Sequence, residues 1–318
     1  MPNTNLQTLA NLAIIGDISL ADLNVSDVIL AGTMWDVLHA QASSNGQIHQ
    51  YEKETTAPVV GFRPANAPKV GTPGVDELVT IGLKILEATV EADKALAKGY
   101  PKKKGGVEGY FAKKGARYLA AAFHTAERQI IYGTGNDADG FVGLAENAGL
   151  NGLADAKVVN GTGTGSDLDS AWIIRTGEDD VSAVYNGDEP FDFGDIYEQQ
   201  IVTYDGAGAV TGSFAGLVSS IVSWLGLQIG SAQSVVRVCN LAATDATGLI
   251  EDKIQDGLSL FPSDRMATHI FASRRIKRAV QRGRQKTSTE AKRVGMATDV
   301  DGIPLMTSEG LIAETALT

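Results

Sequence analysis

The sequence predicts an α+β protein, and three observations carry that expectation. An extended, polar-faced ribbon lies between Gln47 and Leu96, a long amphipathic helix follows it, and a glycine-rich series of short strands fills the middle of the chain.

The first of these begins after a set of short apolar pieces. Leu6, Leu9 and Leu12 stand at helical spacing, followed by the clusters Val28 to Leu30 and Met34 to Leu38. Pieces this short cannot build a core and must dock elsewhere, so residues 1–46 are expected to be an arm. In the ribbon, Ile48 to Thr56 and Leu78 to Ala95 flank a turn-rich stretch holding Pro58, Pro64, Pro68 and Pro73. A long hairpin is the natural inference. Its returning half interleaves Glu87, Thr89, Glu91 and Asp93 with Ala88, Val90 and Ala92, which gives one polar face. At ~3.3 Å per residue such a ribbon reaches roughly 60 Å, more than a compact domain can cover. It is expected to project.

The helix is expected over Val107 to Tyr132. Phe111, Gly115, Tyr118, Leu119, Ala122, Ala126 and Ile130 recur at three and four, opposite Lys113, Arg117, His124 and Arg128. About 26 residues span about 39 Å, and Gly133-Thr134-Gly135 supplies a stop. Gly109 and Gly115 each weaken it by up to ~1 kcal/mol relative to Ala.

Beyond it, Ala171 to Thr176, Asp180 to Tyr185, Gln200 to Tyr204, Val218 to Ile229 and Val235 to Asn240 read as strands. Val218 to Ile229 would also suit a helix, since Leu217, Val218, Ile221 and Leu225 share that period; strand is the expectation taken. Leu249 to Leu260 reads as a helix stopped by Phe261-Pro262, His269 to Ser273 as a strand, Arg274 to Arg282 as a second helix, and Asp301 to Met306 as a last extended piece.

Composition excludes several classes. With 318 residues, 43% hydrophobic and 20% charged, the chain can bury a core without staples. The lone Cys239 allows no intramolecular disulfide and fits a reducing compartment. No run reaches the ~20 apolar residues of a membrane helix, and Met1 to Ala10 carries no export signal. A net charge of −11 opposes general nucleic-acid binding, yet suits a container that encloses DNA without adhering to it.

The residues nominate no catalytic, cofactor-binding or metal site. Gly161-Thr162-Gly163-Thr164-Gly165-Ser166 lacks the Gly-Lys ending of a phosphate loop and reads as a flexible surface loop. Asp137, Asp139, Gly140 and Glu146 match offsets of a calcium loop, but Gly135 replaces its first ligand, leaving a turn. His39, His49, His124 and His269 form no pair at metal-ligand spacing. No nucleophile elbow is present, and the pair Asp179-Asp180 falls at a turn. The basic run Arg274, Arg275, Lys277, Arg278, Arg282, Arg284, Lys286, Lys292 and Arg293 is open to two readings. It is either a solvated helix face or an intersubunit surface that meets Glu87, Glu91, Asp93 or Asp188-Glu189 of a neighbour.

Several stretches, taken in order, resemble the major capsid proteins of tailed bacteriophages. They are Asn5-Leu6-Gln7-Thr8-Leu9-Ala10, Ala57-Pro58-Val59-Val60-Gly61-Phe62-Arg63-Pro64-Ala65-Asn66, Ile130-Ile131-Tyr132-Gly133, Phe141-Val142-Gly143-Leu144, Trp224-Leu225-Gly226-Leu227-Gln228, Val236-Arg237-Val238-Cys239-Asn240-Leu241 and Gly302-Ile303-Pro304. The resemblance covers nearly the whole chain. It implies the HK-ninety-seven-type or Johnson fold, with an N-terminal arm over residues 1–46 and an extended loop over 47–100. The peripheral domain would comprise 101–133 and 272–318 around the 107–132 spine helix, and an axial domain on a mixed sheet would span 134–271.

The same resemblance implies a non-enzymatic shell subunit that assembles in the host cytoplasm into hexamers and pentamers of an icosahedral virion head. Its partners would be its own copies, a portal at one vertex, a decoration protein in some relatives, and packaged double-stranded DNA without sequence-specific contact. Some relatives begin with a long scaffolding segment, whereas here the arm starts near Met1, so a separate scaffolding protein is expected. No motif carries over the covalent crosslinks of other relatives. The alternatives are an encapsulin-type compartment shell and, from another class, a strand-rich binding module.

Overall fold

The computed structural model describes residues 34–35, 37–68, 71–186, 192–244, 248–287 and 296–318. The arm pieces around Leu6, Leu9 and Leu12 and from Val28 to Leu30 lie outside the described residues.

In chain order the strands are β1 (His39–Ala42), β2 (Ile48–Thr56), β3 (Val59–Val60), β4 (Gly71–Thr72), β5 (Val75–Gly82), β6 (Lys84–Asp93), β7 (Val158–Asn160), β8 (Asp169–Ile174), β9 (Val181–Tyr185), β10 (Asp192–Phe193), β11 (Tyr197–Tyr204), β12 (Val210–Ile229), β13 (Val235–Leu241), β14 (His269–Ala272), β15 (Asp299–Val300) and β16 (Ile303–Thr307). The long helix is Gly106–Tyr132, and shorter helices cover Lys94–Gly99, Leu249–Leu258 and Arg274–Thr287. Contacts divide the chain into two compact units.

The larger unit holds Gly32–Lys84, Thr125–Asp188 and Trp224–Thr318. Its centre is a six-stranded mixed sheet ordered β15-β16-β14-β8-β13-β7. Every residue of β8 and β13 is buried, which is why both read as near-continuous apolar runs. Alternate side chains serve opposite faces. Ile173, Val236 and Val238 join Ile250, Ile254 and Leu258 of one helix and Ile276 and Val280 of the basic helix in a single core. The helix comes so close that a Cβ on Gly257 would meet Ile173 Cδ1 at 2.7 Å. On β13, Arg237 lies over the Trp172 ring at 5.1 Å and donates to Glu314 at 2.8 Å. A second sheet contributes β1 parallel to β9, and β9 antiparallel to Leu225–Ile229 of β12.

The smaller unit includes Ile85–His124 and Glu189–Ser223. Here the first part of β12 pairs with β11 from Tyr197↔Val218 to Tyr204↔Val210, and with β10 and β6. Val90, Ala92, Tyr100, Tyr110, Phe111 and Leu217 form its core. Phe111, Ala122, Ala126 and Ile130 of the long helix are buried as the periodicity predicts. Gly109 is required by close approach rather than tolerated, since a Cβ there would meet the Lys104 carbonyl oxygen at 2.0 Å.

Three expectations need correction. The hairpin ends at Gly82 rather than running to Leu96: Leu83 is buried, its N–H donates to the Gln47 carbonyl, and β6 pairs with β12 instead. The alternation in β6 buries Val90 and Ala92 in the smaller unit's core, which takes that strand out of the ribbon. The segment 134–271 is not one sheet domain, because β10, β11 and much of β12 belong to the smaller unit. The C-terminal residues complete the larger unit's own sheet, with Ile270↔Leu305 and Phe271↔Met306 in parallel register. Val218 to Ile229 is strand as expected, and β12 begins earlier, at Val210.

Candidate assembly surfaces

The hairpin pairs β2 with β5 from Ile48↔Gly82 to Glu54↔Asp76, with a bulge before Thr56. Its base is held by buried polar groups. Ser44 N–H donates to His49 Nδ1 at 3.2 Å, so Nε2 carries the proton and donates to Gln228 Oε1 at 2.6 Å. Gln41 Nε2 shares that acceptor at 2.5 Å and reaches Ser182 Oγ at 2.7 Å. Gln228 in turn donates to the Glu178 carbonyl at 2.6 Å.

Toward the tip the environment reverses. Val59 and Val60 pair with Thr72 and Gly71, and a Cβ on Gly71 would meet the Val59 carbonyl oxygen at 2.9 Å. Arg63 donates to the Ala67 carbonyl at 3.0 Å, and Asn66 adopts a left-handed φ of 65°. Val60 is 85% exposed and Phe62 fully so, at 105%. Val59, Val75 and Leu78 are exposed as well. Anchored at its base, the hairpin thus ends in a row of uncovered apolar side chains.

The basic helix, Arg274–Thr287, spends much of its charge inside its own unit. Arg274 pairs with Glu309, Arg275 donates to Asp167 at 2.6 Å, and Arg284 grips Glu251 with Nε at 2.9 and 3.0 Å from its two oxygens. Lys277 and Arg282 donate to the carbonyls of Leu305 and Ala243. Of the neighbour-facing acids proposed for it, Asp93 instead caps the helix at Lys94, accepting from Ala95 N–H at 2.7 Å. Lys292, Arg293, Asp188 and Glu189 lie outside the described residues.

Glu146 is engaged by donors of its own loop. Its carboxylate accepts from Thr134 N–H at 2.9 Å, from the Thr134 hydroxyl, and from Gly143 N–H at 3.5 Å. Asp137 accepts from Asp139 N–H at 3.1 Å in a local turn. Among the described residues no group of three or more His, Cys, Asp or Glu could hold a metal ion. The glycine-rich loop is bound rather than free: Gly161 and Gly163 N–H donate to the Cys239 and Asn240 carbonyls, and a Cβ at Gly161 would meet Asn240 O at 2.7 Å. Burial pushes the Cys239 thiol up and the His269 imidazole down. Sequence reasoning missed the His49–Gln228 anchor, because its partners lie far apart in the chain.

The fold thus comprises a long hairpin, a long helix and a six-stranded sheet whose core is shared with two shorter helices. The chain belongs to the major capsid protein GP7 family, whose model matches residues 33–315. A chain of the bacteriophage Epsilon15 structure is similar in fold, with a TM-score of 0.64, 16% identity, and 99% and 98% of the two chains covered. The capsid of bacteriophage JBD30 gives 0.51 at 10% identity, covering 96% and 99%. The JBD30 capsid decorated with minor capsid protein trimers gives 0.52 at 11%, covering 95% and 98%. No curated protein matches the sequence. The chain is a capsid protein of the virion. Among the described residues no helix is long and apolar enough to cross a membrane.

Proposed function

We propose that this chain self-assembles through hexamers and pentamers into the icosahedral head of a phage, enclosing double-stranded DNA without reading its sequence, and that it catalyses no reaction. The observation that carries this reading is the apolar hairpin tip. Val59, Val60 and Phe62 would each gain about 1.5–3 kcal/mol on full burial, and a neighbouring copy supplies the surface. Small gains repeated around a closed shell become large through avidity.

In this reading residues 1–46 form the arm and the extended loop is the hairpin Ile48 to Gly82. The smaller unit, with the first turns of the spine helix, plays the peripheral part, and the larger unit's sheet plays the axial part. Assembly in the host cytoplasm with a separate scaffolding protein, a portal at one vertex and a decoration protein would complete the head.

Negative-stain microscopy and sedimentation of the full chain, expressed with and without its neighbouring genes, test the proposal. Closed shells are expected from the unaltered chain, and small oligomers or monomers from Val60→Asp/Phe62→Asp. A double variant that assembles as the unaltered chain does would overturn the role given to the tip. DNA in the purified particles separates a phage head from a cargo compartment.

A further inference from the structure

The shaft of the hairpin carries an acidic face without a cation of its own. Glu54 and Asp76 stand directly opposite each other in the β2–β5 pairing, and Glu52 stands opposite Leu78. Residues two apart on a strand share a face, so Glu52, Glu54, Asp76 and Leu78 lie together on one side. Gln50 and Thr80, joined by a side-chain hydrogen bond of 3.2 Å, continue that side toward the base. All four are exposed, Leu78 by 66%. On the other face Glu77 has Lys53 across from it, whereas Glu52, Glu54 and Asp76 have no cation opposite. Carboxylates directly across a strand pair repel, so this face costs the free hairpin stability.

The basic helix presents the opposite arrangement. Among the described residues its ion pairs belong to Arg274, Arg275 and Arg284. Lys277 and Arg282 reach only backbone carbonyls, those of Leu305 and Ala243, and Arg278 reaches no acceptor. Arg278 and Arg282 are exposed and, at i, i+4 spacing, share one side of the helix. With Lys277 they line a hollow of about 420 Å³ to which Ala243 and Met296 add apolar surface, Met296 being 74% exposed.

The two surfaces match in chemistry: three carboxylates beside a leucine, and three cations beside a methionine. Arginine is enriched at protein–protein interfaces, and its planar fork suits carboxylates. Two different patches of one chain that fit each other make a head-to-tail contact, which closes on itself when the rotation between copies permits. Copies with a net charge of −11 repel, and opposite patches brought together offset that repulsion and fix the register.

We propose that the hairpin face bearing Glu52, Glu54, Asp76 and Leu78 docks on this hollow in a second copy, its carboxylates against Lys277, Arg278 and Arg282 and its leucine toward Met296. The contact rests on the reading of the hairpin as the part that a neighbouring copy covers, and adds the surface that receives its shaft.

The test is sedimentation and negative-stain microscopy of full-length charge variants over a series of protein concentrations. Glu54→Lys/Asp76→Lys and Arg278→Glu/Arg282→Glu should each raise the concentration needed for shells at least about tenfold. Combining the two sets should bring it back toward that of the unaltered chain. The smaller combination of Glu54→Lys with Arg278→Glu tests the same rescue at exposed side chains and guards against a folding defect. Asp76→Asn, which removes repulsion inside the hairpin, should raise the melting temperature of the free subunit while weakening assembly, an opposition that misfolding does not produce. The proposal is overturned if either reversal assembles as the unaltered chain does, or if neither combination recovers shells. Loss of shells with the arginine reversal alone, the hairpin reversal being silent, would overturn it and give the hollow to another anion, such as a phosphate backbone. Shells from every variant remove only this contact, whereas no shells from the unaltered chain remove the capsid reading and this contact with it.

Discussion

His49 Nε2 lies 2.6 Å from the side-chain oxygen of Gln228, joining the outgoing strand of the hairpin to the C-terminal end of β12. Because the Ser44 amide donates to the other ring nitrogen, the imidazole is fixed in one tautomer and one orientation.

Replacing it should loosen the base of the hairpin. His49→Leu removes one of the two donors to Gln228 Oε1 and leaves the Ser44 amide without its acceptor, which costs about 1–3 kcal/mol. Urea denaturation should register that loss, and the amides of Gln50 and Ile81 should exchange faster than in the unaltered chain.

Arg237 and Glu314 form a second such dependency, since both charged side chains are largely buried and 2.8 Å apart. Glu314→Ala leaves the guanidinium over Trp172 without its counter-ion. Removing one partner of a buried pair costs about 3–5 kcal/mol, which thermal denaturation would detect as a clear fall in Tm. A loss under 1 kcal/mol would mean that water or the Leu150 carbonyl satisfies Arg237 alone.

Gly133, at the end of the long helix, has φ +56° and stands where a Cβ would meet Glu146 Oε2 at 2.0 Å and Gly143 N at 2.3 Å. Gly133→Ala should therefore destabilise by about 1–3 kcal/mol, combining left-handed strain with displacement of the Glu146 carboxylate. Chemical denaturation measures it, and Gly135→Ala, at a neighbouring glycine without positive φ, serves as the control.

Glu146 also gives a pH dependence. Burial, its largest influence, works against ionisation, but hydrogen bonds from the Thr134 hydroxyl and amide and from the Gly143 and Gly135 amides outweigh it and hold the carboxyl below its ordinary value of 4.5. With the folded-state value depressed, the unfolded chain takes up the proton first on acidification. The stabilisation is present above about pH 4.5 and is lost as pH falls through the folded-state value. Glu146→Gln should cost about 1 kcal/mol at pH 7, the group being partly exposed, and progressively less below pH 4.5. A difference that is constant with pH would show that shape rather than charge holds the turn.

Much of this was legible in the chain, because local patterns decide it. The long helix announces itself through Phe111, Ala122, Ala126 and Ile130, and β8 and β13 through short stretches rich in apolar residues, Ala171 to Ile174 and Val235 to Leu241. The end of the hairpin was not, since strand alternation continues through Gly82 into β6 and only pairing with β12 separates them. The division into units was hidden for the same reason: β12 serves two sets of partners along one uninterrupted strand. In the basic helix, spacing identified the cations but not Asp167, Glu251 and Glu309, the distant carboxylates that occupy them.

Hydrogen exchange by mass spectrometry over residues 57–74, compared between the free subunit and closed shells, tests most directly whether the hairpin tip is covered only by another copy. Slow exchange in the shell with rapid exchange in the free subunit is the expected result. Equal protection in both states would contradict it.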